Sequence, residues 1–117
     1  MSSLAIHPDD TIIRATRFRA TTTSSDELRA TVRATGALSA RSLPRLLRVL
    51  EAHRRAGRRY LRVDLHDCTL ADRAVLEPLR RAHVALTDAG GMLVFDNADA
   101  AAAALLQGGE LFVSTAL

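Results

Sequence analysis

The chain has 117 residues, 48% of them apolar, and a formal charge of +3. That length suits one domain with one core, and the apolar content excludes wholesale disorder. All 16 basic residues are arginine, so the high pI of about 10.4 reflects Arg without Lys and does not by itself demand a polyanionic partner.

Other classes recede in the same way. Met1 to Asp10 lacks a basic start followed by an apolar run, so no secretory signal is expected, and residues 1–10 read as a flexible N-terminal segment. The longest apolar stretch, Ala100 to Leu106, falls well short of the roughly 20 residues that cross a bilayer. A soluble, cytoplasmic protein is the expectation. Cys68 is the only cysteine, which rules out an internal disulfide and suits a reducing compartment. It reads as a small packing residue, not a nucleophile. The arginine groups Arg54-Arg55, Arg58-Arg59-Arg62 and Arg80-Arg81 read as solvated helix ends and faces. No interleaved aromatics accompany them, so nucleic acid is not an expected partner.

Residues 11–117 read as a single domain. Thr11 to Arg19, with Ile12, Ile13 and Phe18 among Thr and Arg, predicts a strand. The polar run Thr21 to Asp26 predicts a turn. Leu28, Ala30, Val32 and Ala34 then alternate with polar residues, a period of two that marks a half-buried strand ending at Gly36 and closing a hairpin. Ser39 or Ser42 is placed to cap a helix, with Pro44 tolerated near its start. Leu43, Leu46, Leu47 and Leu50 form its apolar stripe, Arg41, Arg45 and Arg48 fall off it, and Gly57 stops it.

Arg59 to Leu65 is the expected central strand. Asp72 is an N-cap for a second helix running to about Asp88, but Pro78 inside that helix would cost about 3 kcal/mol. A start near Leu76 moves Pro78 into the first turn and is favoured. Gly90-Gly91 closes the helix, and Met92 to Phe95 is a buried strand. Asp96, Asn97 or Asp99 caps an Ala-rich third helix ending at Gly108-Gly109. Leu111 to Val113 forms a last short strand or docked tail. Strands alternating with helices predict a largely parallel sheet with right-handed crossovers.

Signs of catalysis are weak. His7, His53, His66 and His83 are scattered without metal-ligand spacing. His66-Asp67-Cys68 pairs a base with a nucleophile only in the tripeptide, and triads are assembled in space. No phosphate-cradling glycine loop occurs. Asp64, Asp67 and Asp72 read as capping and loop carboxylates, although the C-terminal ends of strands are where α/β sheets bind ligands.

The most informative stretch is Tyr60-Leu61-Arg62-Val63-Asp64-Leu65, followed seven residues later by Asp72-Arg73-Ala74-Val75. Leu70-Ala71-Asp72, then Leu76 and Leu79, then Gly90-Gly91-Met92-Leu93-Val94, and finally Gly108 before Leu111-Phe112 complete a pattern. In order and spacing, from about Thr11 to Val113, it resembles the STAS domain family of bacterial anti-sigma factor antagonists. The resemblance implies an α/β domain: a small mixed sheet of about four or five strands, opening with a hairpin, with helices packed on it. It implies no enzyme activity, no cofactor and no metal, and a partner that is an anti-sigma factor, a serine kinase-like protein or another regulator. The partner-binding residues it implies are Asp72, Arg73, Ala74, Val75, Leu76 and Glu77, with Gly36 and Ser39 from the earlier loop.

The departures fall where signalling would occur. Signalling members carry Asp-Ser-Ser-Gly and are phosphorylated on the second serine. Here Arg73 replaces the first serine, Ala74 the phosphoacceptor and Val75 the glycine. Gly36-Ala37-Leu38-Ser39 lacks the carboxylate of the family's Gly-x-Leu-Asp. Thr69 lies three residues before Asp72 and is a poor substitute acceptor. The alternative reading is a STAS subunit of another assembly, such as a lipid-transport ATPase complex or a stressosome-like scaffold, or a small-ligand sensor. The apolar segment Leu111 to Val113 leaves room for a homodimer.

Overall fold

In the computed structural model, residues 17–114 are described. Residues 1–10 and the first part of the strand expected over Thr11–Arg19 lie outside them. Within them the order is β1 (Arg19–Ser25), β2 (Arg29–Leu38), α1 (Leu43–Arg55), β3 (Tyr60–Leu70), a 3-10 turn (Arg73–Val75), α2 (Leu76–Asp88), β4 (Met92–Asp96), α3 (Ala100–Gly108) and β5 (Phe112–Ser114). The five strands form one sheet in sequential order; β1 runs antiparallel to β2, and all later neighbours are parallel.

The hairpin is present but displaced. The Thr/Ser run read as a turn is β1 itself, with Arg19 opposite Thr35 and Ser25 opposite Ala30. Six of its seven residues are exposed, so no apolar alternation announces it. Threonine's branched Cβ still suits extended backbone, and the ladder to β2 supplies the hydrogen bonds. The reversal is made by Asp26, whose Oδ1 accepts the N–H groups of Leu28 (2.9 Å) and Arg29 (2.7 Å). These bonds favour the carboxylate and lower its pKa, the Leu28 N–H foremost.

Both central strands outrun their predicted ends. β2 passes through Gly36 (φ 95°), a left-handed conformation that glycine adopts without a Cβ penalty, and stops at Leu38. β3 continues beside it past Leu65 to Leu70. Between the pairs Arg33–Asp64 and Thr35–Asp67, β3 carries one residue more than β2. That bulge switches β3's inward positions from Leu61, Val63 and Leu65 to Cys68.

All three helices contribute to one core cluster, as right-handed crossovers in a sequentially ordered parallel sheet require. Leu43, Leu46 and Leu50 of α1, Leu79 and Leu86 of α2, and Leu106 of α3 meet Val32, Leu61, Val63, Leu93 and Phe95 of the sheet. Each such side chain contributes about 1.5–3 kcal/mol by leaving water. The alternate positions, including Arg33 on β2, Tyr60 and Arg62 on β3, and Met92 on β4, stay exposed.

The helix ends match expectation with one exception. Gly57 (φ 93°) follows α1 and Gly90 (φ 87°) follows α2. Asp99 is the residue that caps α3, its carboxylate accepting from the Ala102 N–H at 2.8 Å. Ser42 occupies the N-cap position of α1 but makes no side-chain cap. Its hydroxyl donates to the Ala37 carbonyl (2.8 Å) and accepts from the Ser39 N–H (2.9 Å), tying the helix start to the end of β2. Leu111 is buried in the core, so of the supposed apolar edge only Phe112 is largely exposed.

Candidate functional site

Two loops meet at the end of the sheet where β2 and β3 finish. The backbone joins them first: the Ala71 N–H donates to the Leu38 carbonyl at 3.0 Å. Asp72 then bridges them with its side chain. Oδ1 accepts from the Ala74 N–H (2.9 Å) and Oδ2 from the Ala40 N–H (3.2 Å). Both bonds favour the ionised form, and Asp72 is accordingly shifted below the ordinary carboxylate range, the Ala74 N–H being the larger cause.

The cap sits where the sequence placed it, but on a 3-10 turn and not directly on the helix. Arg73–Val75 forms that turn and α2 begins at Leu76, so Pro78 falls in the first helical turn, as its missing N–H requires. Arg73, Ala74 and Glu77 are exposed, Leu76 and Pro78 half-buried, and Val75 fully buried. Val75 therefore supports the turn from beneath; its side chain offers nothing to a partner in this conformation, which corrects its place among the contact residues. Across the loop, Gly36 and Ser39 are half-buried and Ala40 and Arg41 exposed. The surface brought together is Ser39, Ala40 and Arg41 on one side and Asp72, Arg73, Ala74 and Glu77 on the other. Ala40 was invisible to motif reading, because its contribution is a backbone N–H that any residue supplies.

The other carboxylates go their own ways. Asp64 accepts from the Asn97 amide (2.9 Å) and the His66 N–H (3.0 Å), which lower its pKa in that order. Asp67 pairs with Arg33 at 2.9 Å. No hydrogen-bond partner is common to Asp64, Asp67 and Asp72, and no cluster of three or more metal-ligating side chains occurs among the described residues.

The tripeptide His66-Asp67-Cys68 has no nucleophile. His66 and Asp67 face solvent, with 3.8 Å between His66 Nε2 and Asp67 Oδ1, whereas Cys68 turns into the core. Burial raises its thiol to about 11, leaving little thiolate near neutrality. No helix among the described residues is long and apolar enough to cross a membrane.

A sequentially ordered mixed sheet, helices on one face and an Asp-capped turn after the long central strand define the STAS fold. Among the solved structures that share it are two of SpoIIAA. One is the anti-sigma factor antagonist SpoIIAA in its unphosphorylated form, 10% identical with a TM-score of 0.61, the match covering 85% of this chain and 90% of that one. The other is the Bacillus cell fate determinant SpoIIAA in the phosphorylated form, 12% identical with a TM-score of 0.62, covering 85% of this chain and 92% of that one. No protein-family model matches the chain, and no curated protein matches it significantly. The likeness is one of fold.

Proposed function

We propose that this chain is a non-catalytic regulatory domain of the anti-sigma factor antagonist type, acting in the cytoplasm by binding an anti-sigma factor or serine kinase-like regulator. The surface for that partner is the pair of joined loops: Arg73, Ala74 and Glu77, held by Asp72, beside Ser39 and Gly36.

The observation that carries the reading is the exposed methyl of Ala74, whose N–H donates to the capping carboxylate of Asp72. The loop is built and presented, yet the position carries no hydroxyl. A phosphoryl group there would bring roughly two negative charges beside Asp72, and alanine cannot accept it. The complex is thus formed or broken without the phospho-switch. Arg73 presents positive charge at the same tip, so the matching partner surface carries Asp or Glu.

Affinity purification from the source cell, using the full chain as bait and mass spectrometry as readout, tests this. An anti-sigma factor or serine kinase is expected in stoichiometric amount, retained at moderate salt and released by Arg73→Glu. Retention of that partner by the Arg73→Glu variant, recovery of transport-ATPase subunits in its place, or phosphate on any residue from Thr69 to Glu77 after incubation with the captured kinase and ATP would overturn the reading.

A further inference from the structure

Where the chain enters β1 it passes the start of α1, and three arginines converge there. Arg17 precedes β1, Arg41 lies in the turn after β2, and Arg45 stands in the first turn of α1. With Ser39 and Ser42 they line one hollow of about 250 Å³. Arg45 Nη1 donates to the Phe18 carbonyl at 3.3 Å, which steadies that guanidinium beside the hollow. One bond of this kind leaves further N–H groups on a fork that carries five. The Ser42 hydroxyl is already tied to the Ala37 carbonyl, so Ser39, its hydroxyl 3.5 Å away, is the polar group left to a guest.

The charges of the hollow are all of one sign. Among the described residues, Arg33, Arg54, Arg55, Arg62, Arg80 and Arg81 each pair with a carboxylate at 2.6 to 3.8 Å. Arg17, Arg41 and Arg45 pair with none of the described carboxylates, and the lining contains neither Asp nor Glu. Three like charges around one concavity repel each other and focus a positive potential into it. An anion seated there relieves that repulsion. A phosphate monoester brings roughly −1.5 to −2 charge and three acceptor oxygens, which guanidinium forks match in geometry.

Size and position narrow the carrier of that anion. The hollow is smaller than the roughly 300–1,000 Å³ that enclose a whole small molecule, so it admits a charged group whose remainder stays outside. Outside lies the candidate partner surface. Ser39 and Arg41 belong to both, and Ala40 between them donates its N–H to Asp72. We propose that the hollow receives a phosphoserine or phosphothreonine side chain of the docked protein, held by Arg17, Arg41 and Arg45 with the Ser39 hydroxyl. The inference rests on the reading above for what docks, and it places the regulatory phosphate on the partner, not on this chain. Phosphorylation of the partner then strengthens the complex.

The test uses the full chain and needs no partner. Amide resonances of Ser39, Ala40, Arg41 and Ser42 and the Arg45 Nε–H are followed by NMR during titration with a capped Ala-phosphoserine-Ala tripeptide. Parallel titrations use the unphosphorylated tripeptide, its glutamate analogue and inorganic phosphate, and vesicles containing phosphatidic acid are tested by co-sedimentation. Saturable shifts are expected with the phosphoserine peptide, at least as tight as with inorganic phosphate and tighter than with glutamate. Arg41→Ala and Arg45→Ala should each weaken binding about tenfold or more, as loss of a charge-assisted hydrogen bond does. Arg48→Ala, exposed on α1 but outside the lining, should change it less than twofold. The proposal is overturned when the phosphoserine peptide shifts none of these resonances, or when inorganic phosphate or the glutamate peptide binds more tightly. Equal weakening by Arg48→Ala and Arg41→Ala, or vesicle binding lost in Arg41→Ala without a peptide response, overturns it as well. Such failure leaves the loop-docking reading standing, whereas peptide binding without capture of a regulator removes that reading and keeps the anion site.

Discussion

Ala74 and Val75 are adjacent yet have opposite structural weight, and substitution separates them. Ala74 is exposed and its N–H alone takes part in the cap, so Ala74→Ser keeps every bond and is expected to stay within about 0.5 kcal/mol of wild type. Val75 is 0% exposed, within the core cluster. Val75→Ala removes two buried methyl groups at about 0.8 kcal/mol each. Incomplete collapse of the space left adds about 1 kcal/mol, for a loss of about 2.5 kcal/mol. Val75→Gly removes one carbon more and frees the backbone of the unfolded chain, raising the loss to about 4 kcal/mol. Urea unfolding followed by circular dichroism measures all three, with an unchanged m-value showing that stability alone has moved. Equal midpoints for Val75→Ala and wild type, or an Ala74→Ser loss as large as that of Val75→Ala, would refute the division of labour. A serine at position 74 therefore leaves the fold intact, whereas a glycine at position 75 undermines its support.

Three further outcomes are expected. A Cβ at Gly91 would lie 1.9 Å from the Arg59 carbonyl oxygen, which accepts the Met92 N–H at 2.8 Å to start the β3–β4 ladder, so Gly91→Ala should cost more than about 3 kcal/mol in a thermal or urea melt. Gly57→Ala meets nothing within 4 Å and should lose only about 1–2 kcal/mol, from its φ of 93°; equal losses at the two sites would contradict the steric assignment. Cys68 in the native protein should resist iodoacetamide at pH 8 and react readily in urea, because burial holds its thiol near 11; rapid native labelling would show the core open there. The Ala74 and Ala40 N–H groups hold the folded Asp72 pKa below the ordinary carboxylate value, so its contribution is present above that unfolded value and lost as pH falls through the folded pKa. Amide NMR should accordingly show the Ala40 and Ala74 resonances unchanged down to about pH 4 and moving together only in stronger acid; independent movement would deny that one carboxylate holds both.

Helices were legible along the chain because each carries its own evidence. The Leu43, Leu46, Leu47 and Leu50 stripe, the glycines after α1 and α2, a cap among Asp96, Asn97 and Asp99, and the placement of Pro78 are local signals. In the fold Leu43, Leu46 and Leu50 are buried, the glycines follow their helices, Asp99 is the cap and Pro78 falls in the first turn. Asp72 was legible for the same reason, since a carboxylate two residues before the N–H it accepts acts over one turn. Its second bond, to Ala40, spans 32 positions and left no trace in the residue types.

What the order of residues determined on its own was where backbone changes conformation and which stripe of each helix turns inward, because capping, φ restriction and amphipathic period act over a few residues. Tertiary structure alone decided the rest of the sheet. An exposed edge strand such as β1 buries too little to alternate, so its Thr/Ser run became a strand only when β2 paired with it. Gly36 lies inside a strand because β3 continues beside it, and the bulge on β3 sends Cys68 inward. Arg29 meets Tyr60 across 31 positions because parallel register, a property of two strands together, sets them side by side.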